Sequence, residues 1–120
     1  MIFDNKRILV LGAHGDDHEL GCGCLLSKID KSKLDIILVS DSGKDREDAF
    51  ESSMEEYGIK NYQKWGYPQR RIRDYEQEIR DRLYRLNLEE RYDMVFVHDI
   101  NSYHQDHETL HRIALSVFRT

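Results

Sequence analysis

The stretch Ile8-Leu9-Val10-Leu11-Gly12-Ala13-His14-Gly15-Asp16-Asp17-His18-Glu19-Leu20-Gly21-Cys22-Gly23 decides the fold. It opens as an unbroken apolar run rich in branched side chains, the pattern of a strand buried on both faces, as in a parallel sheet. A turn of small residues follows. Beyond it Leu20, Leu25, Leu26 and Ile29 fall close to helical spacing and predict a helix from about Glu19 to Ile29. The polar cluster between strand and helix therefore stands at the carboxyl end of a first strand, where open α/β sheets bind their ligands. Acids and imidazoles are costly at such a place unless they are paired or hold a metal.

The same alternation continues outward. Leu34–Ser40 is a second, nearly continuous apolar run that ends in the polar turn Asp41-Ser42-Gly43-Lys44-Asp45. Arg46–Tyr57 reads as a helix stopped by Gly58. Tyr62–Trp65 reads as a short third strand, broken at Gly66-Tyr67-Pro68 because the chain's single proline cannot continue a ladder. Arg73–Leu86 carries Tyr75, Ile79, Leu83 and Leu86 on one helical face. Met94–His98 is a fourth strand, Asp99–Tyr103 a loop, and a last helix runs from near Asp106 to Phe118 through Leu110, Ile113, Ala114 and Val117. Alternating strands and helices predict an α/β fold, a mainly parallel sheet with helices on both faces. The 120 residues are expected to form a single domain, 1–120, either a minimal unit or the N-terminal fragment of a longer protein.

Charged residues make up 34% of the chain and the net charge is −5, with opposite signs interleaved as on solvated helix faces. The one dense basic run, Arg70-Arg71-Ile72-Arg73, reads as the opening of a surface helix, so nucleic acid is not an expected partner. The sequence contains neither a signal peptide nor an apolar run of membrane-spanning length, which points to a cytoplasmic protein without a membrane partner. Cys22 and Cys24 are the only cysteines. A C-x-C pair beside a glycine turn suits a metal, but positions near a helix start suit small buried residues better. A disulfide between them would be strained.

The second unusual stretch is His98-Asp99-Ile100-Asn101-Ser102-Tyr103-His104-Gln105-Asp106-His107-Glu108-Thr109-Leu110-His111. It follows the fourth strand, so a parallel sheet brings it to the same edge as His14–His18. Neutral imidazole with carboxylate is the ligand set of zinc and its neighbours. A catalytic zinc typically takes three protein ligands and leaves a position for water. His14, Asp17 and His107 supply three such donors from the two strand ends, and Asp16 and His104 remain beside them. Each residue also has a plainer reading. His14 bonds its own turn, Asp16 and Asp17 cap a helix, Asp106 is an N-cap, and His107 and His111 form a surface pair. Convergence of so many donors on one edge favours the metal.

At these two clusters the sequence resembles the PIG-L/LmbE-like family of zinc-dependent N-acetylglucosamine deacetylases. The family's A-H-P-D-D-E motif and its L-G-C-G-G-like turn have their counterpart in Ala13-His14-Gly15-Asp16-Asp17-His18-Glu19-Leu20-Gly21-Cys22-Gly23-Cys24, and its H-P-D-H motif in His104-Gln105-Asp106-His107. Arg46, Tyr57-Gly58 and Trp65-Gly66-Tyr67-Pro68 resemble its intervening landmarks. Gly15, His18 and Gln105 depart from the usual proline, glutamate and proline without removing a ligand. The resemblance implies a Rossmann-like three-layer α/β/α fold and a hydrolase acting on an N-acetylated sugar or glycoconjugate. It implies Zn²⁺, or another divalent metal, on His14, Asp17 and His107. Asp16 is then the general base, His104 the oxyanion stabiliser and Asp106 the group that orients an imidazole. Arg46 is a substrate-binding candidate. Family members run longer, with C-terminal elements that wall the pocket. Without such elements weak turnover is expected, with a homo-oligomer covering the sheet edge. Two alternatives stand beside this reading: a receiver-like Mg²⁺-binding phosphoacceptor domain, and a deacetylase-like fragment without activity.

Overall fold

The computed structural model describes residues 5–13, 31–41, 43–97 and 105–118. Its elements in chain order are β1 (Ile8–Gly12), β2 (Leu34–Asp41), α1 (Lys44–Glu56), β3 (Tyr62–Pro68), α2 (Glu76–Glu90), β4 (Met94–Phe96) and α3 (Gln105–Val117). Short 3-10 turns occupy Lys31–Lys33 and Ile72–Tyr75. The helix predicted over Glu19–Ile29, with Cys22 and Cys24, lies outside the described residues.

The four strands form a parallel sheet in the order β3-β2-β1-β4. All five residues of β1 are buried, as the unbroken apolar run requires of a central strand. Successive side chains point to opposite faces, and this divides the core in two. Leu9, Leu11, Ile37 and Val39 pack with Ile79 and Leu83 of α2 and Leu110 and Ile113 of α3. Ile8, Val10, Ile36 and Leu38 pack on the other face with Phe50 and Met54 of α1. Helices thus cover both faces, in the expected three-layer α/β/α arrangement. Each such side chain, fully buried, contributes about 1.5–3 kcal/mol, so the two central strands anchor both helix layers. Among the described residues no helix is long and apolar enough to cross a membrane.

Helix α1 ends as its sequence predicts. Gly58 takes φ +70, its N–H donates to Glu55 O at 3.1 Å, and the Ile59 N–H donates to Met54 O at 2.8 Å. That pair of bonds is a Schellman cap, and buried Ile59 and Met54 share the core beneath it.

Several boundaries differ from expectation. Strand β3 does not stop at Trp65 but continues through Pro68, which pairs with Asp41. As an edge strand it tolerates a residue without an N–H. An extra residue is absorbed where Leu38 and Ser40 face Lys64 and Tyr67, and Gly66 supplies the φ of +74 beside it. Helix α2 begins at Glu76 rather than Arg73, after the 3-10 turn, which leaves Tyr75 40% exposed while Ile72 is fully buried. Strand β4 covers only Met94–Phe96 within the described residues.

The amino edge of the sheet is tied by charge. The Arg7 guanidinium donates to Asp35 Oδ2 at 2.7 Å and Glu90 Oε2 at 2.6 Å, its backbone N–H donates to Asp93 Oδ2 at 2.8 Å, and the Tyr92 hydroxyl donates to Asp35. Burial works against the Arg7 charge, but the Glu90 hydrogen bond and the Asp35 and Glu90 carboxylates outweigh it and raise its pKa. Burial, then the Asp35 bond, raises that of Tyr92. These groups are engaged with one another at the edge opposite the one where the strands end.

Candidate functional site

The carboxyl edge is assembled from the ends of three strands and the first turn of α3. At the end of β1, the Ala13 carbonyl accepts the Ser40 N–H at 3.1 Å and also the Ser40 hydroxyl. Ser40 is buried near the end of β2, and this pair of hydrogen bonds fixes the backbone of the residue that precedes His14. At the end of β2, Asp41 Oδ1 accepts the Gly43 N–H at 2.9 Å, turning the chain into α1. Arg46 is exposed in the first turn of that helix.

At the end of β3 the chain makes a tight turn, closed by Arg71 N–H to Pro68 O at 3.1 Å. Here Arg70 adopts φ +68, a region that non-glycine residues seldom enter. Helix α3 holds it from both sides. The Arg70 N–H donates to Asp106 Oδ2 at 2.6 Å, and the Arg70 carbonyl accepts from Gln105 Nε2 at 3.0 Å. Asp106 is 1% exposed. It is not the N-cap of the last helix, because that helix starts one residue earlier; its carboxylate reaches across 36 residues of sequence to a backbone donor. The basic run does not open a surface helix either: Arg70 and Arg71 lie in the turn, and Ile72 and Arg73 in the 3-10 segment.

His107 follows Asp106 in the first turn of α3 and is half-buried, with its Nε2 atom shielded from solvent. His111, one turn on, is also half-buried. Leu110 packs in the same core as Ala13, so the first half of α3 and the end of β1 share one side of the sheet. His14, Asp16, Asp17 and His104 lie outside the described residues. Among the described residues no three His, Cys, Asp or Glu side chains form a metal-holding group.

Ser40, Gln105 and Arg70 were not singled out for the site by the sequence. Ser40 shows there only as a hydroxyl closing an apolar run. Its bonding partner is a backbone carbonyl 27 residues away, which carries no residue type to recognise.

The parallel sheet with helices on both faces defines an open α/β domain, a class that binds its ligands at the carboxyl ends of its strands. The family model described as PIG-L, GlcNAc-PI de-N-acetylase, matches residues 9–118, and the chain belongs to that family. No curated protein matches it. Among solved structures it is similar to N,N′-diacetylchitobiose deacetylase from Pyrococcus horikoshii, with TM-score 0.77, 21% identity, and 96% of this chain covered against 50% of that one. It is similar also to the conserved protein TT1542 from Thermus thermophilus, with TM-score 0.72, 24% identity and coverage of 93% and 55%. The A40926 pseudoaglycone deacetylase Dbv21 gives TM-score 0.73, 16% identity and coverage of 95% and 59%. At these identities the likeness is one of fold. The chain spans between 50% and 59% of the length of these structures. The receiver-like alternative gives way to the family match, and β3 ends at Gly66-Tyr67-Pro68 without an aspartate to accept a phosphoryl group.

Proposed function

We propose that residues 1–120 belong to the deacetylase domain of a metal-dependent hydrolase that removes the acetyl group from an N-acetylglucosamine-type amide. The reading is carried by the family match over residues 9–118, which spans both polar clusters. The shared packing of Ala13 and Leu110 supports it, since it joins the strand leading to His14 with the helix that begins at His107's turn.

Zn²⁺ is the expected metal, with His14, Asp17 and His107 as the residues to hold it. His107 fits that part: an imidazole nitrogen is a preferred zinc donor, and its Nε2 is out of solvent in the first turn of a helix. A bound zinc would polarise the amide carbonyl and make a water acidic enough to react near neutral pH. Asp16 takes the proton of the attacking water. That oxygen adds to the carbonyl carbon, and His104 stabilises the negative charge on the carbonyl oxygen. The C–N bond then breaks, the amine leaves with a proton, and the products are acetate and a free amine. Asp106 orients a neighbouring imidazole, and Arg46 contacts a sugar hydroxyl or phosphate.

Metal analysis of protein purified without chelator tests the centre of this reading without a substrate. About one divalent metal per chain is expected, lost in His14→Ala and His107→Ala. A wild type that neither retains metal nor binds added zinc would overturn it. In any active preparation Asp16→Asn should keep the metal and lose about 10²–10⁴ in rate. Full activity in that variant would move the base elsewhere.

A further inference from the structure

The two edges of the sheet are built differently. At one edge β3 carries features that keep a strand from pairing further: Gln63 and Lys64 are exposed, Gly66 sits beside a bulge, and Pro68 lacks an N–H. At the other edge Met94-Val95-Phe96-Val97 is an unbroken apolar run, the pattern of a strand covered on both faces. Its four residues are nevertheless only half-buried, and among the described residues β4 pairs with β1 alone. The Met94 N–H donates to Arg7 O at 3.3 Å, so alternation along the strand turns the N–H and C=O of Val95 to the outside. Beside that edge Val95 and Val97 line an apolar groove of about 400 Å³ with Ala114 and Leu115 of α3 and Phe118 just beyond it. Leu115 is 57% exposed there. Asp93 also lines the groove, but its carboxylate accepts the Arg7 N–H. No other charged side chain lines it among the described residues, in a chain that is 34% charged.

We propose that the β4 edge and this groove form a self-association surface, and that its occupant is a second copy of this chain. An edge strand is complementary to itself under a two-fold axis. Two β4 strands laid antiparallel exchange the N–H and C=O groups that each turns outward, and they join two sheets into one. The same axis sets Leu115 and Phe118 of each copy against the apolar groove of the other. A lone strand from another protein would satisfy the backbone without filling the groove; a second copy brings both the strand and the apolar helix face. Charge agrees with this occupant. Each chain carries a net −5, so two copies meet most readily where neither presents free charge, and an apolar centre with aromatic side chains and few charges is the usual core of an interface. The patch is smaller than the roughly 20–30 residues a side of a standard interface. The dimer is therefore expected to be weak, with a dissociation constant on the order of 10 μM.

Sedimentation equilibrium of the 120-residue chain, from well below that constant to well above it, reads the association. Hydrogen–deuterium exchange of the peptide carrying Met94–Val97 over the same range reads whether β4 is the strand that pairs. A monomer–dimer equilibrium is expected, with exchange in that peptide slowed several-fold as the dimer fills and the β3 peptide unaffected. Leu115→Glu places like charges in both grooves at an exposed position and should weaken the dimer at least about tenfold. Leu88→Glu, at a position of α2 that is 59% exposed and outside the groove, should leave it unchanged. Circular dichroism checks that both variants are folded; if Leu115→Glu is not, the concentration dependence of wild-type β4 exchange decides alone. A monomer throughout the range, or growth past the dimer, would overturn the proposal. So would a dimer that folded Leu115→Glu leaves intact, one that Leu88→Glu weakens equally, or one whose β4 exchange stays constant. A monomer with β4 protected at every dilution would also overturn it and give the face to another part of the same chain.

Discussion

Ser40 gives both its donors to one carbonyl, that of Ala13. The hydroxyl is buried, so Ser40→Ala removes a bond while the N–H still satisfies the acceptor. The expected cost is about 1 kcal/mol, read from urea unfolding. A second consequence separates a site role from simple stability: zinc affinity should fall several-fold, because the residue before His14 is held by one bond instead of two. Unchanged affinity beside lowered stability would confine Ser40 to the scaffold. Arg91 shows the opposite case, a residue the fold tolerates at some cost. It ends α2 at φ +52, a conformation that penalises side chains bearing a Cβ by about 1–2 kcal/mol. Glycine would relieve that penalty and lose about 0.5–1 kcal/mol of it to extra freedom in the unfolded chain. Arg91→Gly should therefore stabilise by roughly 0.5–1 kcal/mol, visible as a higher urea midpoint with an unchanged slope. Neither position announces itself in the sequence: one is a serine at the end of a strand, the other an arginine before a tyrosine.

Elements buried on both faces were readable, since β1 is an unbroken apolar run and β2 a nearly continuous one, each of strand length and rich in branched residues. Elements decided by their neighbours were not. Pro68 is compatible with a strand only because β3 lies at the sheet edge, and strand order is a tertiary property. Likewise Tyr75 falls at the helical spacing of Ile79 and Leu83, but the 3-10 turn before α2 rotates it outward against Tyr67, ring centroids 5.3 Å apart. The contact between α2 and α3 carries an electrostatic signature of its own. Glu76 accepts from Arg80 at 2.9 Å and from Arg112 at 3.2 Å. The Arg80 hydrogen bond, helped by Arg112 and opposed by burial, lowers the Glu76 pKa from the ordinary 4.5. A depressed carboxylate stabilises the fold above its unfolded pKa, and that stability disappears as pH falls through the folded value. The pair network should thus contribute fully at neutral pH and fade in acid below about pH 4.5. Its side chains are between 28% and 43% exposed, so the contribution is at most about 1 kcal/mol. Glu76→Gln should lower stability by that amount at pH 7 and by progressively less below pH 4.5. A constant difference across the acid range would assign the loss to packing instead of charge.

For the molecule as a whole, the candidate site is proposed from the chemistry of the sequence, and the described residues supply part of its surroundings: the Ala13 backbone, Asp106 and His107. Strand direction decides which strand ends meet, and β1 and β4 run parallel, as the sequence reading of the two histidine and aspartate clusters requires. The second task of Asp106 was hidden, since its partner is the backbone of Arg70 and a turn conformation leaves no reliable mark on composition. The donors come from separate strand ends, so a metal held by His14, Asp17 and His107 would cross-link the molecule at its carboxyl edge and bind the folded state selectively. Zinc at about 100 times its dissociation constant then adds about 2.7 kcal/mol to stability. For a chain of 120 residues this corresponds to a rise in Tm of about 10 °C. His107→Ala should abolish the shift while lowering the metal-free Tm only slightly, because His107 is half-buried and outside the apolar core. Leu110→Ala, one turn further into that core, should do the converse: it costs about 2–5 kcal/mol without metal, yet the surviving folded fraction should still respond to zinc. Scanning calorimetry of the three proteins with zinc and with a chelator separates the two effects. A wild type whose Tm is indifferent to zinc, or a His107→Ala protein that keeps the full shift, would remove His107 from the metal site.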